Sequence, residues 1–231
     1  MFVSFTVAKY SGRNILFGFL SMAIFRILFF LKNYGVVFSK LMGSGKNGTF
    51  DIEPDLKQWA YMWVWKSEEH YENFEKKSWV MKYIRRFSTE KFTLFLKPLQ
   101  SHGLWDEKNP FETNEKENFG DNETIVVLTR ASIRIHKAAD FWRNVPAIAK
   151  NFAQHEGFLY SIGVGEMPFF KQATLSVWQN ETFMKAFAYR RKEHSEVIQK
   201  TRSQQWYSEE LFARFRLMGH AGNVPVSISE L

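Results

Sequence analysis

The chain has 231 residues, of which 45% are hydrophobic and 24% charged. That balance supports a sizeable core and excludes both long disorder and a polytopic membrane protein. Lys and Arg number 31 against 24 Asp and Glu, a net charge of +7, which suits a membrane surface, a nucleic acid or an acidic protein as partner. The lack of cysteine excludes disulfides, thiolate metal sites, iron–sulfur clusters and Cys nucleophiles.

Residues 1–10 (MFVSFTVAKY) read as a β-branched and aromatic strand. Asn14 to Leu31 is almost continuously apolar, with Arg26 in its midst. No small-x-small cleavage site follows, as a signal peptide would need, and the stretch is short and interrupted for a span, so it reads as a domain helix. Its greasy side would meet a membrane interface or a partner subunit in a homo-oligomer. From Gly35 the pattern is strand, turn (GSGKNG), strand. In the second of these strands Trp59, Tyr61, Trp63 and Trp65 share one face and Ala60, Met62 and Val64 the other, so it is central and covered on both sides. Ser67 opens a helix to about Phe87, acidic at its start and basic at its end, which complements the helix dipole. KFTLFLKPL (91–99) is a further strand. The order β-α-β-β-α-β defines a ferredoxin-like unit.

Residues 104–123 hold seven acids and two lysines and read as an acidic linker or surface loop, which leaves the remainder more basic than the whole. The same order then recurs: strand IVVLTRASIRI, a helix over 137–154, strands FLYSIGVGEMP and QATLSVW, a long helix capped by Asn180, and a strand through SEELFARFRLM. Gly43-Ser-Gly45 answers Gly163-Val-Gly165, Trp65 answers Trp178, and Ser88, Glu90, Phe92 and Phe95 answer Ser208, Glu210, Phe212 and Phe215, 120 residues apart. The repetition argues for duplication: a first repeat over 1–103, the linker 104–123, a second repeat over 124–219 and a tail over 220–231.

Several motifs fall away. Gly43-x-Gly-x-x-Gly48 follows a strand, but Pro54 and its neighbours cannot open the pyrophosphate-binding helix, so it reads as a hairpin turn. Paired RNA-recognition modules would need a basic-Gly-aromatic-Gly opening, but the first third strand (WAYMWVW) has no glycine and the second (ATLSVW) lacks a stacking platform, which argues against nucleic-acid binding. There is no G-x-S-x-G, no H-E-x-x-H and no H-x-x-x-H. The sequons at Asn47, Asn122 and Asn180 matter only in a secretory route. His70, His102, His155 and His220 read as exposed and His136 as a helix cap. His194 stands apart, inside the long second helix with Phe187, Val197 and Ile198 on its side and Arg190 and Arg191 one turn earlier. That setting suits an axial ligand to haem iron with arginines on the propionates; it equally suits a core histidine satisfied by a carbonyl.

Val127-Leu-Thr-Arg-Ala-Ser-Ile-Arg134, Phe141-Trp142, Gly163-Val-Gly-Glu-Met-Pro168, Gln172-Ala-Thr-Leu-Ser-Val-Trp178, His194 and Glu209-Glu-Leu-Phe-Ala-Arg-Phe215 resemble the core pattern of the spheroidene monooxygenase family of carotenoid biosynthesis. Gly103-Leu-Trp105 and Pro110-Phe111 extend the resemblance into the first half, while Gln204-Gln205 stands where the family has a Gly-Gly pair. The resemblance implies a haem b (iron) monooxygenase that hydroxylates an acyclic carotenoid and oxidises it on to a ketone, with electrons from a ferredoxin-type donor. It further implies an α+β fold in which the two ferredoxin-like βαββαβ repeats form a fused, pseudo-dimeric α+β barrel. His194 would be the proximal ligand, Arg190 and Arg191 the propionate partners, and Phe187, Trp178 and Arg214 the pocket lining. The protein would be cytoplasmic, peripheral on the inner face of the cytoplasmic membrane. A non-catalytic carrier of haem or another apolar ligand, and a cofactor-free oxygenase, are the competing readings on the same scaffold.

Overall fold

A computed structural model describes residues 1–31, 34–46, 53–113, 119–120, 122–143, 155–190 and 203–230, with the backbone alone at 26–31 and 188–190. Eight strands form one closed barrel: β1 (Phe2–Lys9), β2 (Val36–Gly45), β3 (Pro54–Trp65), β4 (Glu90–Gly103), β5 (Ile125–Ile133), β6 (Phe158–Met167), β7 (Lys171–Trp178) and β8 (Tyr207–Gly222). Their spatial order is β1-β3-β2-β6-β7-β5-β8-β4, and every ladder is antiparallel. Each half thus contributes the order 4-1-3-2, and the halves join along β4·β8 and β2·β6. The α+β barrel expected from the sequence is the fold observed.

Alternation along the strands separates the two faces of the sheet. Inward residues such as Val3, Phe5, Met62, Val64, Leu94, Leu128, Leu175 and Phe215 make one aliphatic-rich interior. Outward in the first half, Trp59, Tyr61, Trp63 and Trp65 are buried beneath the helices, as the two-sided apolar pattern of β3 requires. Helix α1 (Ile15–Leu31) is held to that wall by a chain of hydroxyls: Ser21 Oγ lies 2.9 Å from Tyr61 Oη, which lies 2.9 Å from Tyr10 Oη.

The single helix expected over 67–87 is two, α2 (Glu68–Lys77) and α3 (Trp79–Phe87), because Ser78 turns extended (ψ 144°) and its hydroxyl accepts the Met81 N–H at 3.1 Å as a new cap. In the second half a short 3-10 turn, Ile135–Lys137, leads into helical residues 138–143; the rest of the helix expected over 137–154 lies outside the described residues. Helix α4 (Glu181–Arg190) begins where Asn180 Oδ1 accepts the Phe183 N–H at 3.2 Å. A final short helix, α5 (Val226–Ser229), follows β8, which runs on as far as Gly222.

Three details revise the sequence reading. Gly43 and Gly45 belong to β2 and are not a turn. Gly43 is the counterpart of Gly165, since each sits across from the equivalent residue of β3 or β7 (Trp59, Gln172), and the two glycines face each other across the β2·β6 seam. The offset between β4 and β8 is 119, not 120: Phe92 pairs with Gly222 while Gly103 pairs with Leu211, the reciprocal pattern of a two-fold contact. A one-residue slip reverses the face of every side chain, so the counterpart of Phe95 is Arg214.

The segment after β4 is more than a surface loop. Trp105 and Phe111 are fully buried in the barrel interior, the latter edge-on to Phe215 at 5.0 Å. At the opposite end of the β4·β8 pair, Ile228 of α5 enters the same interior.

The seam glycines carry a direct test. Gly103 (φ 86°) and Gly222 (φ 84°) are equivalent, and a Cβ there would stand 2.2 Å from the Glu210 carbonyl and 2.1 Å from the Lys91 carbonyl. Gly103→Ala and Gly222→Ala should each destabilise by about 1–3 kcal/mol or more in urea unfolding. Gly12→Ala, at φ 55° with open space around it, should cost only about 1 kcal/mol.

Candidate functional site

The outward faces of the two halves differ in bulk. Register aligns Trp59, Tyr61 and Trp63 of β3 with Gln172, Thr174 and Ser176 of β7. On the second-half sheet the neighbours of Thr174 are Thr129 and Gly163, and those of Ser176 are Val127 and Ser161. The floor is therefore made of small residues. Thr6, the first-half counterpart of Thr129, is fully buried and bonded to Thr93 at 2.8 Å, whereas Thr129 is exposed on a central strand. The Thr174 hydroxyl is buried and has no hydrogen-bond partner among the described residues.

Three residues expected at a site come together at one edge of this floor. Trp178 and Phe187 are buried, 5.1 Å apart between ring centroids, with Met184 and Ile125 beside them. Trp178 Nε1 donates to Ser176 Oγ at 3.0 Å. Arg214, one row along β8, donates from Nη1 to Glu181 Oε1 at 3.2 Å, and its Nε is buried with no hydrogen bond among the described residues. Arg190 ends α4 and only its backbone is described; Arg191 and His194 lie outside the described residues. His155, read as exposed, is half-buried against the same edge, 5.4 Å from Phe187 and 6.1 Å from Trp178. His220 is half-buried within β8 and His70 half-buried with its Nδ1 2.7 Å from Ser67 Oγ; His102 and His136 are exposed. Among the described residues, no group of three His, Asp or Glu side chains is placed to hold a metal.

A second assembly was missed by sequence reasoning. At the end of the barrel where β4 gives way to the acidic segment, Lys40, Asp106, Arg130, Glu166, Lys171 and Glu209 converge from six chain segments. Lys40 bonds Asp106 and, at 2.6 Å, Glu166. Lys171 reaches Asp106 at 3.0 Å, Arg130 bonds Glu209, and Trp105 Nε1 donates to Glu166 Oε1 at 2.7 Å. Glu209 also accepts the N–H groups of Asp106 (3.1 Å) and Glu107 (2.8 Å), holding both residues at positive φ. Arg130 replaces an inward Val7 of the first half and its side chain is 1% exposed. A guanidinium so buried needs carboxylates around it. The signal was available: Trp105, Arg130, Glu166 and Glu209 all belong to the motifs that carry the family resemblance, and those motifs meet here.

Burial acts to raise the Asp106 carboxyl, but hydrogen bonds and attraction from Lys40 and Lys171 overcome it and hold it at about 2. Burial likewise opposes, and the N–H groups of Glu107 and Asp106 with Arg130 outweigh it, to bring Glu209 below its ordinary value.

Gln205, at the family's Gly-Gly position, adopts φ 49°. This is the left-handed region that a glycine enters without cost, so the departure from the family leaves a strained residue beside the buried Trp206.

No family model matches the chain. It is 37% identical over 188 residues to the spheroidene monooxygenase of Rhodobacter capsulatus, covering 81% of this chain and 78% of that protein. It is 34% identical over 186 residues to the spheroidene monooxygenase of Cereibacter sphaeroides, covering 80% of this chain but 57% of that protein. A crystal structure of aldoxime dehydratase superposes with a TM-score of 0.60 at 8% identity, covering 94% of this chain and 81% of that one; this is a likeness of fold. Fold and relatives together define an oxidoreductase of the monooxygenase class. The chain belongs to the spheroidene monooxygenase family.

Two outcomes are expected. Asp106 has its carboxyl lowered from the ordinary 3.8 to about 2, so its contribution to stability is complete above about pH 4 and is lost as the pH falls through about 2. The Asp106→Asn variant should lack that slope in acid titrations followed by tryptophan fluorescence. Gln205→Gly should raise stability by a few tenths to about 1 kcal/mol in thermal unfolding, by relief of the left-handed strain.

Proposed function

We propose that the protein is a haem-dependent carotenoid monooxygenase, which hydroxylates an acyclic carotenoid and oxidises the same carbon to a ketone with electrons from a ferredoxin-type donor. The observation that carries the reading is the small-residue second-half floor: Thr129 is exposed where Thr6 is sealed, and Ser176 and Thr174 stand where a tryptophan and a tyrosine fill the first-half face. A flat macrocycle fits over small side chains, and family membership supplies the reaction class.

The small side chains of the floor and the aromatic edge beside it support a haem b reading. Thr129, Thr174 and Gly163 form one cross-strand row of small residues, and the Thr174 hydroxyl lacks a partner among the described residues. Trp178, Phe187 and His155 wall one edge against water. His194 would supply the axial imidazole, and Arg190, Arg191 and the unsatisfied Nε of Arg214 would meet the propionates. When bound, the haem supplies oxygen activation. Each hydroxylation consumes one O2, two electrons and two protons and releases one water; a second at the same carbon gives a geminal diol, which loses water to the ketone. The chain's task is to hold the cofactor, orient the apolar substrate and keep bulk water out.

The excess of basic residues favours an acidic electron carrier. Along α1, Leu16, Phe19, Leu20 and Ala23 are exposed at helical spacing, with Arg13 exposed just before them. This stripe would rest in the membrane interface where carotenoids dissolve. Among the described residues no helix is long and apolar enough to cross a membrane, so α1 would lie on the surface rather than span it.

The purified protein should carry a Soret band that His194→Ala abolishes or shifts. Thr174→Tyr/Ser176→Trp, which restores the first-half bulk, should fold and bind no haem; a normal Soret band in that double variant would move the cofactor elsewhere. A bound chromophore with no oxygenated product on co-expression with a carotenoid pathway and reductant would select the carrier reading.

A further inference from the structure

Helices α1 and α3 lie side by side over the first-half sheet and run antiparallel. Phe17 stacks on Phe87 at 3.9 Å, while Phe25 meets Tyr83 at 5.3 Å and Trp79 at 6.5 Å. Tyr83 Oη donates to the Phe17 carbonyl at 2.8 Å, and Asn14 Nδ2 to the Phe87 carbonyl at 2.9 Å. These contacts fix the rotation of both helices, at about 100° per residue. On α1, Gly18, Ser21 and Phe25 face the sheet and Leu16, Leu20 and Ala23 face outward. On α3, Val80, Met81 and Ile84 face the sheet and Lys82 faces outward, with Trp79 and Arg86 on the flank nearer Tyr83 and so nearer α1. Arg85 is on the far flank, paired with Glu75 at 2.8 Å.

The face so formed holds no acid, because neither residues 11–31 nor residues 78–89 include an Asp or Glu. Arg13, Lys82 and Arg86 are exposed and make no ion pair among the described residues. The cations around them are different: Lys9, Lys76 and Arg85 are answered by Glu90, Glu72 and Glu75. Beside the free cations Leu16, Phe19 and Leu20 are 62%, 42% and 40% exposed, and Trp79 is 46% exposed. An apolar row on α1 and a cationic row on α3 thus run one helix-packing distance apart, about 8–10 Å.

We propose that this two-helix face docks on a bilayer that contains anionic lipids. The α1 row enters the acyl boundary, Arg13, Lys82 and Arg86 extend their stems to the headgroup phosphates, and Trp79 sits at the interface between the two. The proposal rests on the interfacial reading of α1 given above and adds the lipid class and the residues that select it. A zwitterionic bilayer would take the apolar row and leave the cations unanswered. A second copy of the chain, on a two-fold through this face, would set the three cations against their own equivalents with no carboxylate between them. An acidic protein would answer the cations, but the Leu16–Leu20–Ala23 row offers no hydrogen-bonding side chain to orient a specific partner.

The test is co-sedimentation of the purified full chain with phosphatidylcholine vesicles, with and without phosphatidylglycerol, at rising salt. The parent should bind the phosphatidylglycerol vesicles about tenfold or more tightly than the others, and salt should shrink the difference. Each cation at such a surface is worth about fivefold in affinity, so Lys82→Gln/Arg86→Gln should lose about tenfold or more on anionic vesicles and keep the parent circular dichroism. Lys108→Gln/Lys185→Gln removes the same charge from exposed positions elsewhere and should bind within about twofold of the parent. An equal loss in that control pair assigns the attraction to overall charge and overturns the proposal. Equal binding to both vesicle types, unmoved by Lys82→Gln/Arg86→Gln but lost in Leu16→Ser, overturns the anionic assignment and leaves the interfacial reading of α1 standing. No binding to either vesicle type, or a dimer in analytical sedimentation that Leu16→Ser dissolves, overturns both.

Discussion

Everything in this molecule depends on closing two four-stranded sheets into one barrel along two edges. An open edge is a row of unpaired backbone groups, and each half has two, β4 and β2. The β4 edge finds its equivalent β8 and pairs over its whole length, with glycines at φ 86° and 84° where the chains approach most closely. The β2 edge finds β6 and pairs at two positions only. One seam is a weld and the other is a hinge of space, so the barrel is rigid on one side and accessible on the other. Met22 and Phe25 of α1 stand over the gap between β2 and β6.

The two halves share one strand order, but their outward faces differ in bulk. In the first half β3 fills its outward face with Trp59, Tyr61, Trp63 and Trp65, with ring centroids of Tyr61 and Trp63 5.6 Å apart. This face is packing. In the second half three of those four positions are Gln172, Thr174 and Ser176, and only Trp178 keeps its ring. The second-half face carries small side chains where the first half carries large rings. The same asymmetry works inside the barrel, where Arg130 stands for Val7 and draws Glu209, Glu166 and Trp105 around it.

The fold was legible because both periodicities were strong: alternation in β3 placed four aromatics outward and three aliphatics inward, and Asn180 marked a helix start that the structure keeps. Registers were not legible. Matching Phe92 to Phe212 by residue type gave an offset of 120, and hydrogen-bond pairing gives 119, because identical aromatics at i and i+3 lie on opposite faces of a strand. The break at Ser78 escaped notice because charge patterning reads through a one-residue kink. Trp178 and Arg214, expected from their strands beside the long helix, and Phe187, expected on the His194 side of that helix, do lie near one another. The ion cluster was not found, because it joins residues up to 169 positions apart, from Lys40 to Glu209, that only closure of the barrel brings together. The acidic composition of 104–123 pointed to solvent, yet Trp105 and Phe111 go inward and Asp106 pairs with the largely buried Lys40.

That segment also makes the fusion hard to undo. Trp105 and Phe111 fill one end of the barrel, Lys40 from the first half neutralises Glu166 of the second, and Asp106 bridges Lys40 to Lys171. The connecting peptide is thus an internal part of the barrel, supplying the indole and the carboxylate that tie a lysine of one half to a lysine of the other.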